Sequence, residues 1–259
     1  MPSITTGGRA TWYHDTGPGS GPPLLLLHAF PLSSEAFRAQ HALPARVIAP
    51  DHRGFGTSDP TDGAAVTMER YARDALAVLD ALGVRRCVVG GVSMGGYVAM
   101  ALLRIAPDRV TGLILMDTKP GADDDEARAG RNKTAERALT QGVEVLIPGM
   151  LKRLVAPGSA ATGAVEALIR RDATPAGVAS ASRGMALRPD SGPTLRAYRG
   201  PALVLFGEQD QFTGLDEAKA LAGLIDGAAL VTIPNAGHLA HLEAPAKVNE
   251  ALAGFLQRS

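Results

Sequence analysis

The sequence predicts an α/β fold, with a mostly parallel, doubly wound sheet that is interrupted by a helical insertion. Two observations support this prediction. Short apolar runs alternate with longer segments whose apolar residues recur at helical spacing, both in the first 118 residues and after residue 195. Polar or glycine-rich tips follow several of the apolar runs, and ligands bind at such strand ends in sheets of this kind.

In the first part of the chain, short apolar runs predict strands, and apolar residues at helical spacing predict helices. Gly83 is placed to end the first helix, because glycine is favoured just past a helix C-terminus. The predicted elements are two short strands joined by Gly7-Gly8 within 4–17, strands at 23–30 and 46–56, a helix at 68–83, a strand at 86–93, a helix at 94–107 and a strand at 109–118.

Between residues 119 and 195 the alternation stops. The segment has helical patterns, turns at Pro148-Gly149 and Pro157-Gly158, and no evident strand. It therefore predicts a helical cap, 119–195, inserted between two core parts, 1–118 and 196–259. The acidic run at 122–125 is interpreted as a solvated helix start. The alternation then resumes with a strand at 201–210, a helix at 214–225, a strand at 228–235 and a helix at 245–257.

Composition excludes several classes of function. Lys plus Arg equals Asp plus Glu at 26 each, so no net charge favours nucleic acid or an anionic membrane. Aromatic residues make up 4% of the chain, which disfavours base stacking. Cys87 is the only cysteine and lies in an apolar run, so we expect a buried thiol, no internal disulfide and no cysteine zinc site.

No targeting or membrane signal is evident. The chain does not open with a basic segment and an apolar run, and no apolar run approaches the roughly 18 residues of a membrane helix. We therefore expect a cytoplasmic protein that acts without a membrane. Nothing in the sequence indicates a metal or an organic cofactor. The oligomeric state is left open.

Ser93 is the candidate nucleophile. Gly91-Val92-Ser93-Met94-Gly95 reads G-x-S-x-G between a predicted strand and a predicted helix, which is the context of a nucleophile elbow. Glycines at both ends of the motif leave room for a sharp turn. A glycine-rich turn with a chance serine is the alternative, and the flanking strand and helix make it the weaker interpretation.

A serine hydroxyl needs a base that a third group orients. Only His238 and His241 lie after Ser93, where the base is expected, and His238 is nearer the end of the last predicted strand. His241 is interpreted as a structural or pocket-edge residue. The orienting carboxylate is predicted to be Asp210, with Asp117 as the alternative and Glu208 as a weaker third choice.

The developing oxyanion needs hydrogen-bond donors. The backbone N–H of Met94 directly follows the serine, and the loop after the strand at 23–30 offers the N–H of Phe30. We interpret His28 as a residue that holds this loop and not as a catalytic group. Phe30, Met94, Phe212, Leu146 and Met150 are predicted to line the substrate pocket, which favours a neutral, moderately apolar acyl substrate.

Four motifs in order give the chain a resemblance to the α/β-hydrolase superfamily. They are the loop at 28–32, Asp51-His52-Arg53-Gly54-Phe55-Gly56-Thr57-Ser58, the elbow around Ser93, and the late Asp210 and His238. The chain is most similar to the branch of small carboxylesterases, enol-lactonases and cofactor-free haloperoxidase-like perhydrolases. In that resemblance the 51–58 loop is chiefly structural. Ala29 departs from the family's usual glycine, so its φ must be negative or strained.

The motifs predict a serine hydrolase that cleaves a carboxylic ester or lactone through an acyl-enzyme. Ser93, Asp210 and His238 form the expected triad, and Phe30 and Met94 the expected oxyanion hole. A small-molecule ester or lactone is then the partner. Acyl transfer, cyclisation or perhydrolysis on the same triad is an alternative. A ligand-binding receptor that retains the triad is an alternative of another class.

Overall fold

Within the described residues of the computed structural model, 2–6 and 8–258, eight strands form one sheet. Its order is β1-β2-β4-β3-β5-β6-β7-β8. β2 pairs antiparallel with β1 and β4, and all later neighbours pair in parallel, which agrees with the predicted fold class. The strands are β1 Ser3–Thr6, β2 Arg9–Asp15, β3 Leu24–Leu27, β4 Val47–Pro50, β5 Cys87–Val92, β6 Val110–Met116, β7 Ala202–Gly207 and β8 Ala229–Ile233.

Helices account for most of the remaining structure. There are two 3₁₀ segments among the described residues. Ser34–Ala42 lies between β3 and β4, and Pro107–Arg109 directly precedes β6. The α-helices are α1 Met68–Ala81, α2 Met94–Ile105, α3 Asp125–Gln141, α4 Ile147–Leu154, α5 Thr162–Asp172, α6 Pro175–Ala186, α7 Gly192–Ala197, α8 Leu215–Ala222, α9 Ala240–Glu243 and α10 Pro245–Leu256. Gly7, one half of the expected turn between the first two strands, lies outside the described residues.

The core lies between the sheet and its helices. Every residue of β3, β4 and β5 is buried, because these central strands are covered on both faces. Cys87 is buried there as a free thiol, and burial raises its pKa to about 12. The edge strand β8 instead alternates between more and less exposed positions. The described helices include none that is both long and apolar enough to cross a membrane.

Helices α3 to α6 form an insertion between β6 and β7. Its two ends meet, because the Ser191 N–H donates to the Pro120 carbonyl at 2.9 Å. The predicted boundary at residue 195 is wrong in detail, since it falls inside α7, which packs against α2 in the core. The acidic run is also less solvated than expected. Asp124 caps α3, but Asp123 is buried against Arg188.

The predicted strand at 46–56 ends early, at Pro50, because the following residues form a network of polar contacts. Asp51 Oδ1 accepts from the N–H and hydroxyl of Ser34, and its Oδ2 accepts from the N–H of Thr57. Arg53 forms two bonds of 2.6 Å to Asp74 on α1, and both side chains are buried. This loop thus ties α1 to the segment that follows β3.

Replacing Asp74 with Ala should destabilise the fold by about 3–5 kcal/mol, because the Arg53 guanidinium would stay buried without its partner. Asp80→Ala on the same helix is the matched control. Its carboxylate pairs with Arg109 but is 64% exposed, so its loss should cost less than about 1 kcal/mol. Urea unfolding of both variants measures the difference. Equal losses would contradict the structural role given to the Arg53–Asp74 pair.

Candidate active site

Ser93 lies on the tight turn between β5 and α2, with φ 53° and ψ −113°. A positive φ is costly for a residue with a side chain and persists only where its surroundings impose it. Here the Ser93 N–H donates to the Met116 carbonyl at 2.9 Å, and the Thr118 hydroxyl donates to the Ser93 carbonyl at 2.8 Å. These bonds to the end of β6 hold the serine in its strained conformation.

Two glycines make this turn possible. A Cβ at Gly91 would collide with the backbone of Gly95, and a Cβ at Gly95 would collide with the carbonyl of Leu27 on β3. The absence of side chains therefore lets α2 start directly against the sheet. The serine hydroxyl is left at the carboxyl ends of the parallel strands.

The structure brings Ser93, His238 and Asp210 together. His238 Nε2 lies 2.7 Å from Ser93 Oγ, and His238 Nδ1 lies 2.9 Å from Asp210 Oδ2. Asp210 Oδ1 accepts from the Phe212 N–H at 2.7 Å, so both carboxylate oxygens are engaged. With a proton on Nδ1, donated towards Asp210, the free Nε2 can accept a proton from the serine.

Asp210 and His238 meet because the loops after β7 and β8 are bonded to each other. The Gln209 N–H donates to the Ala236 carbonyl at 2.8 Å. Glu243 then accepts from the N–H of Gly237 and from the N–H of Ala156, each at 2.8 Å, which ties the histidine loop to the chain after α4. Sequence reasoning missed Glu243, since its position gives no signal without the fold.

The other two candidate acids do not contact His238. Asp117 is buried beside Asp210, and its Oδ1 accepts from the Gly207 N–H at 2.7 Å. Burial, and next the nearby charge of Asp210, raise the pKa of Asp117 well above its usual range. Glu208 accepts from the Asn235 N–H at 3.2 Å in the neighbouring loop.

The two predicted oxyanion donors are the backbone N–H groups of Phe30 and Met94. In the residues that the structure describes, neither group donates a hydrogen bond to the protein. Ala29 is not among the residues with positive φ, so the loop adopts the negative φ that sequence reasoning allowed.

His28 holds this loop in place. Its Nδ1 bonds to the Ala29 carbonyl at 3.0 Å, and its Nε2 accepts from the His52 N–H at 2.9 Å. The accepting Nε2 requires a neutral ring with the proton on Nδ1. Burial also lowers the pKa of both His28 and His52, which keeps the two neighbouring rings uncharged.

A cavity of about 520 Å³ lies over Ser93 and His238, and residues of the inserted helices α3, α4 and α6 form part of its wall. Phe30, Phe212, Leu146 and Met150 line it, together with the ring of Tyr97. The Met94 side chain does not, because it is fully buried in the core below the turn. The pocket position predicted for Met94 is therefore wrong for its side chain.

The cavity is also more charged than its aliphatic composition suggested. Lys119, Arg131, Arg137 and Arg153 line it, and Asp123 is the one carboxylate among the described lining residues. Sequence reasoning missed these cations, because helical spacing alone did not show which face of the insertion meets the serine.

No cluster of His, Cys, Asp and Glu suited to hold a metal occurs in residues 2–6 and 8–258.

A family model described as the alpha/beta hydrolase family matches residues 24–251. The chain belongs to the α/β-hydrolase family. This match spans both core parts and the inserted helices.

Solved structures of α/β hydrolases resemble the chain over nearly its whole length. A thermophilic esterase from Thermogutta terrifontis, with malate bound, is 38% identical with a TM-score of 0.92, over 99% of this chain and 96% of that one. The enol-lactonase from Burkholderia xenovorans LB400 is 25% identical with a TM-score of 0.88, over 99% of this chain and 100% of that one.

A relative in sequence is named for an activity other than those of these two structures. It is a 2-hydroxy-6-oxononadienedioate/2-hydroxy-6-oxononatrienedioate hydrolase from Paraburkholderia phymatum, 29% identical over 94% of this chain and 90% of its own length. Similar proteins of this family are thus esterases, enol-lactonases and other hydrolases.

His241 gives a prediction about pH. Burial, and next the charge of His238, lower its pKa to about 3, so it stays neutral in the fold while the unfolded chain takes up a proton below about pH 6.5. Stability therefore falls as the pH drops through 6.5. Its ring nitrogens have no partner in the described structure, and the ring packs on Phe37.

His241→Leu should remove this one contribution to the pH dependence. Between pH 7.5 and 5.5 the variant should lose about 1.4 kcal/mol less unfolding free energy than the wild type. Urea unfolding at both pH values gives the comparison. Identical losses in the two proteins would show that His241 is not held neutral.

Proposed function

We propose that this chain is a serine hydrolase that cleaves carboxylic esters or lactones of small molecules through an acyl-enzyme. The observation that carries the proposal is the line of contacts from Ser93 Oγ through His238 to Asp210, at 2.7 and 2.9 Å, beside two free backbone N–H groups. This arrangement has a nucleophile, a base, an orienting acid and oxyanion donors in one cavity.

In the first half of the proposed reaction, Ser93 Oγ attacks the substrate carbonyl while His238 Nε2 takes the hydroxyl proton. Asp210 stabilises the imidazolium through Nδ1. The Phe30 and Met94 N–H groups donate to the oxyanion. The tetrahedral intermediate then collapses, and the imidazolium gives its proton to the leaving oxygen as the carbon–oxygen bond breaks.

In the second half, water replaces the leaving group. His238 takes one proton from the water, the resulting hydroxyl attacks the acyl carbon, and Ser93 leaves with the proton from the histidine. The products are a carboxylic acid and the alcohol, or a hydroxy acid from a lactone. No redox partner is needed, so the cycle balances with substrate and water alone.

The ester or lactone class rests on two further supports. The structural relatives named above include an esterase and an enol-lactonase. A serine nucleophile also favours acyl transfer over attack on an epoxide or haloalkane, for which the family resemblance implies an aspartate in place of Ser93.

Ser93→Ala should abolish turnover of p-nitrophenyl esters while the fold persists. Loss of the nucleophile lowers kcat by about 10⁶ in a comparable serine hydrolase. A fluorophosphonate probe should add mass to Ser93 in the wild type and not in the variant, and urea unfolding checks the fold. Near-full activity of the variant would refute the acyl-enzyme mechanism.

The two buried carboxylates should differ sharply in kcat. Asp210→Asn removes the negative charge and favours the wrong histidine tautomer. The equivalent substitution in a serine protease lowers kcat by about 10⁴. Asp117→Asn should cost less than about tenfold, since an amide has nearly the shape of the protonated carboxyl that its raised pKa favours. Steady-state kinetics decides, and the opposite order would transfer the role to Asp117.

A further inference from the structure

The cavity over Ser93 has an excess of positive charge. Four cations line it, and within the part of the chain that the structure describes only Arg131 pairs with a carboxylate, at 3.1 Å from Asp123. Asp123 is shared with Arg188, which lies 2.7 Å away. The single carboxylate of the described lining is therefore already engaged by two arginines.

The other three cations have no carboxylate partner among the described residues. Arg137 donates to the Val145 carbonyl at 3.2 Å, which fixes its guanidinium but leaves its charge unbalanced. Lys119 is half-buried and follows β6, the strand whose Met116 carbonyl accepts from the Ser93 N–H. A low-dielectric wall with unpaired cations attracts anions from solution.

Arg153 is the best placed of the three. Its guanidinium carbon lies 3.8 Å from the Phe212 ring centroid, and that ring lies 4.7 Å from the His238 ring. This cation–π contact holds the guanidinium beside the ring, and its N–H groups donate to no acceptor among the described residues. An arginine fork of this kind can bind a carboxylate through two hydrogen bonds. One aromatic layer thus separates a free arginine from the proposed general base.

We propose that the cavity selects esters or lactones that carry a carboxylate, with Arg153 binding that group and Lys119 and Arg137 adding attraction. This inference rests on the proposed function. The apolar lining near the base, with Phe30 and Leu146, receives the rest of the substrate. The expected substrate is therefore a monoanionic ester or lactone, in contrast to the neutral substrate that the sequence favoured.

The first test compares two matched pairs of esters, each differing in one charge. One pair is 4-(butanoyloxy)benzoate and its methyl ester; the other is mono-p-nitrophenyl glutarate and its methyl ester. In Arg153→Gln, the anionic-to-neutral ratio of kcat/KM should fall about tenfold in at least one pair, because a charge-assisted bond is lost. Arg153→Lys should recover part of the ratio.

Lys152→Gln is the matched control. It removes the same charge from the adjacent position of α4. Both side chains are exposed, but Arg153 lines the cavity and Lys152 does not. The ratio in Lys152→Gln should stay within about twofold of the wild type, since solvent screens a charge that lies outside the cavity from the substrate. An unchanged ratio in Arg153→Gln for both pairs, or an equal fall in Lys152→Gln, would overturn the proposal.

Measurements of binding test this inference separately from the proposed function. Calorimetry of the same four compounds with Ser93→Ala, and with Ser93→Ala combined with Arg153→Gln, needs no turnover. Tighter binding of an anionic ester that is lost with Arg153 supports the inference even if the wild type cleaves no ester, in which case the hydrolase proposal alone fails. No preference for either anion in Ser93→Ala would refute the carboxylate site.

Discussion

The backbone of Ser93 is held in a conformation that its side chain disfavours, and the site depends on that constraint. The strain is tolerated because β3, β5 and α2 approach so closely that no side chain fits at Gly91 or Gly95. The hydrogen bonds that join the Ser93 backbone to Met116 and Thr118 fix the serine relative to the end of β6. Sheet packing therefore sets the position of the serine, and the bonded loops after β7 and β8 bring His238 and Asp210 to it.

Several ionisable side chains around the serine are kept uncharged by burial. His28, His52 and His241 are buried, and desolvation lowers the pKa of each ring, so they support loops without adding charge. Asp117 lies behind the site with a raised pKa, which leaves Asp210 as the carboxylate that faces His238. The cations Lys119, Arg137 and Arg153 line the same cavity as Ser93 and His238.

The fold class and the family followed from the sequence, because the alternation of elements and the spacing of four motifs are local properties of the chain. The sequence also favoured Asp210 over Asp117, but it left Asp117 as an alternative because both residues end parallel strands. The bonded loops after β7 and β8 are what bring Asp210 to His238 in the structure. The positive charge of the cavity did not follow from the sequence either. Which face of α3 or α4 meets Ser93 depends on packing between distant segments, and the sequence indicated only that these segments are helical.

The bond between Ser191 and Pro120 has an evolutionary consequence. The chain leaves the core before α3 and returns to it after α6 at nearly the same place. The helices over the cavity are therefore one insertion whose two ends lie close together. Segments whose ends lie close together can be exchanged or lengthened with little effect on the rest of a domain. Descendants of this chain could thus acquire a different roof by recombination at that point, while inheriting Ser93, Asp210 and His238 unchanged from the parent.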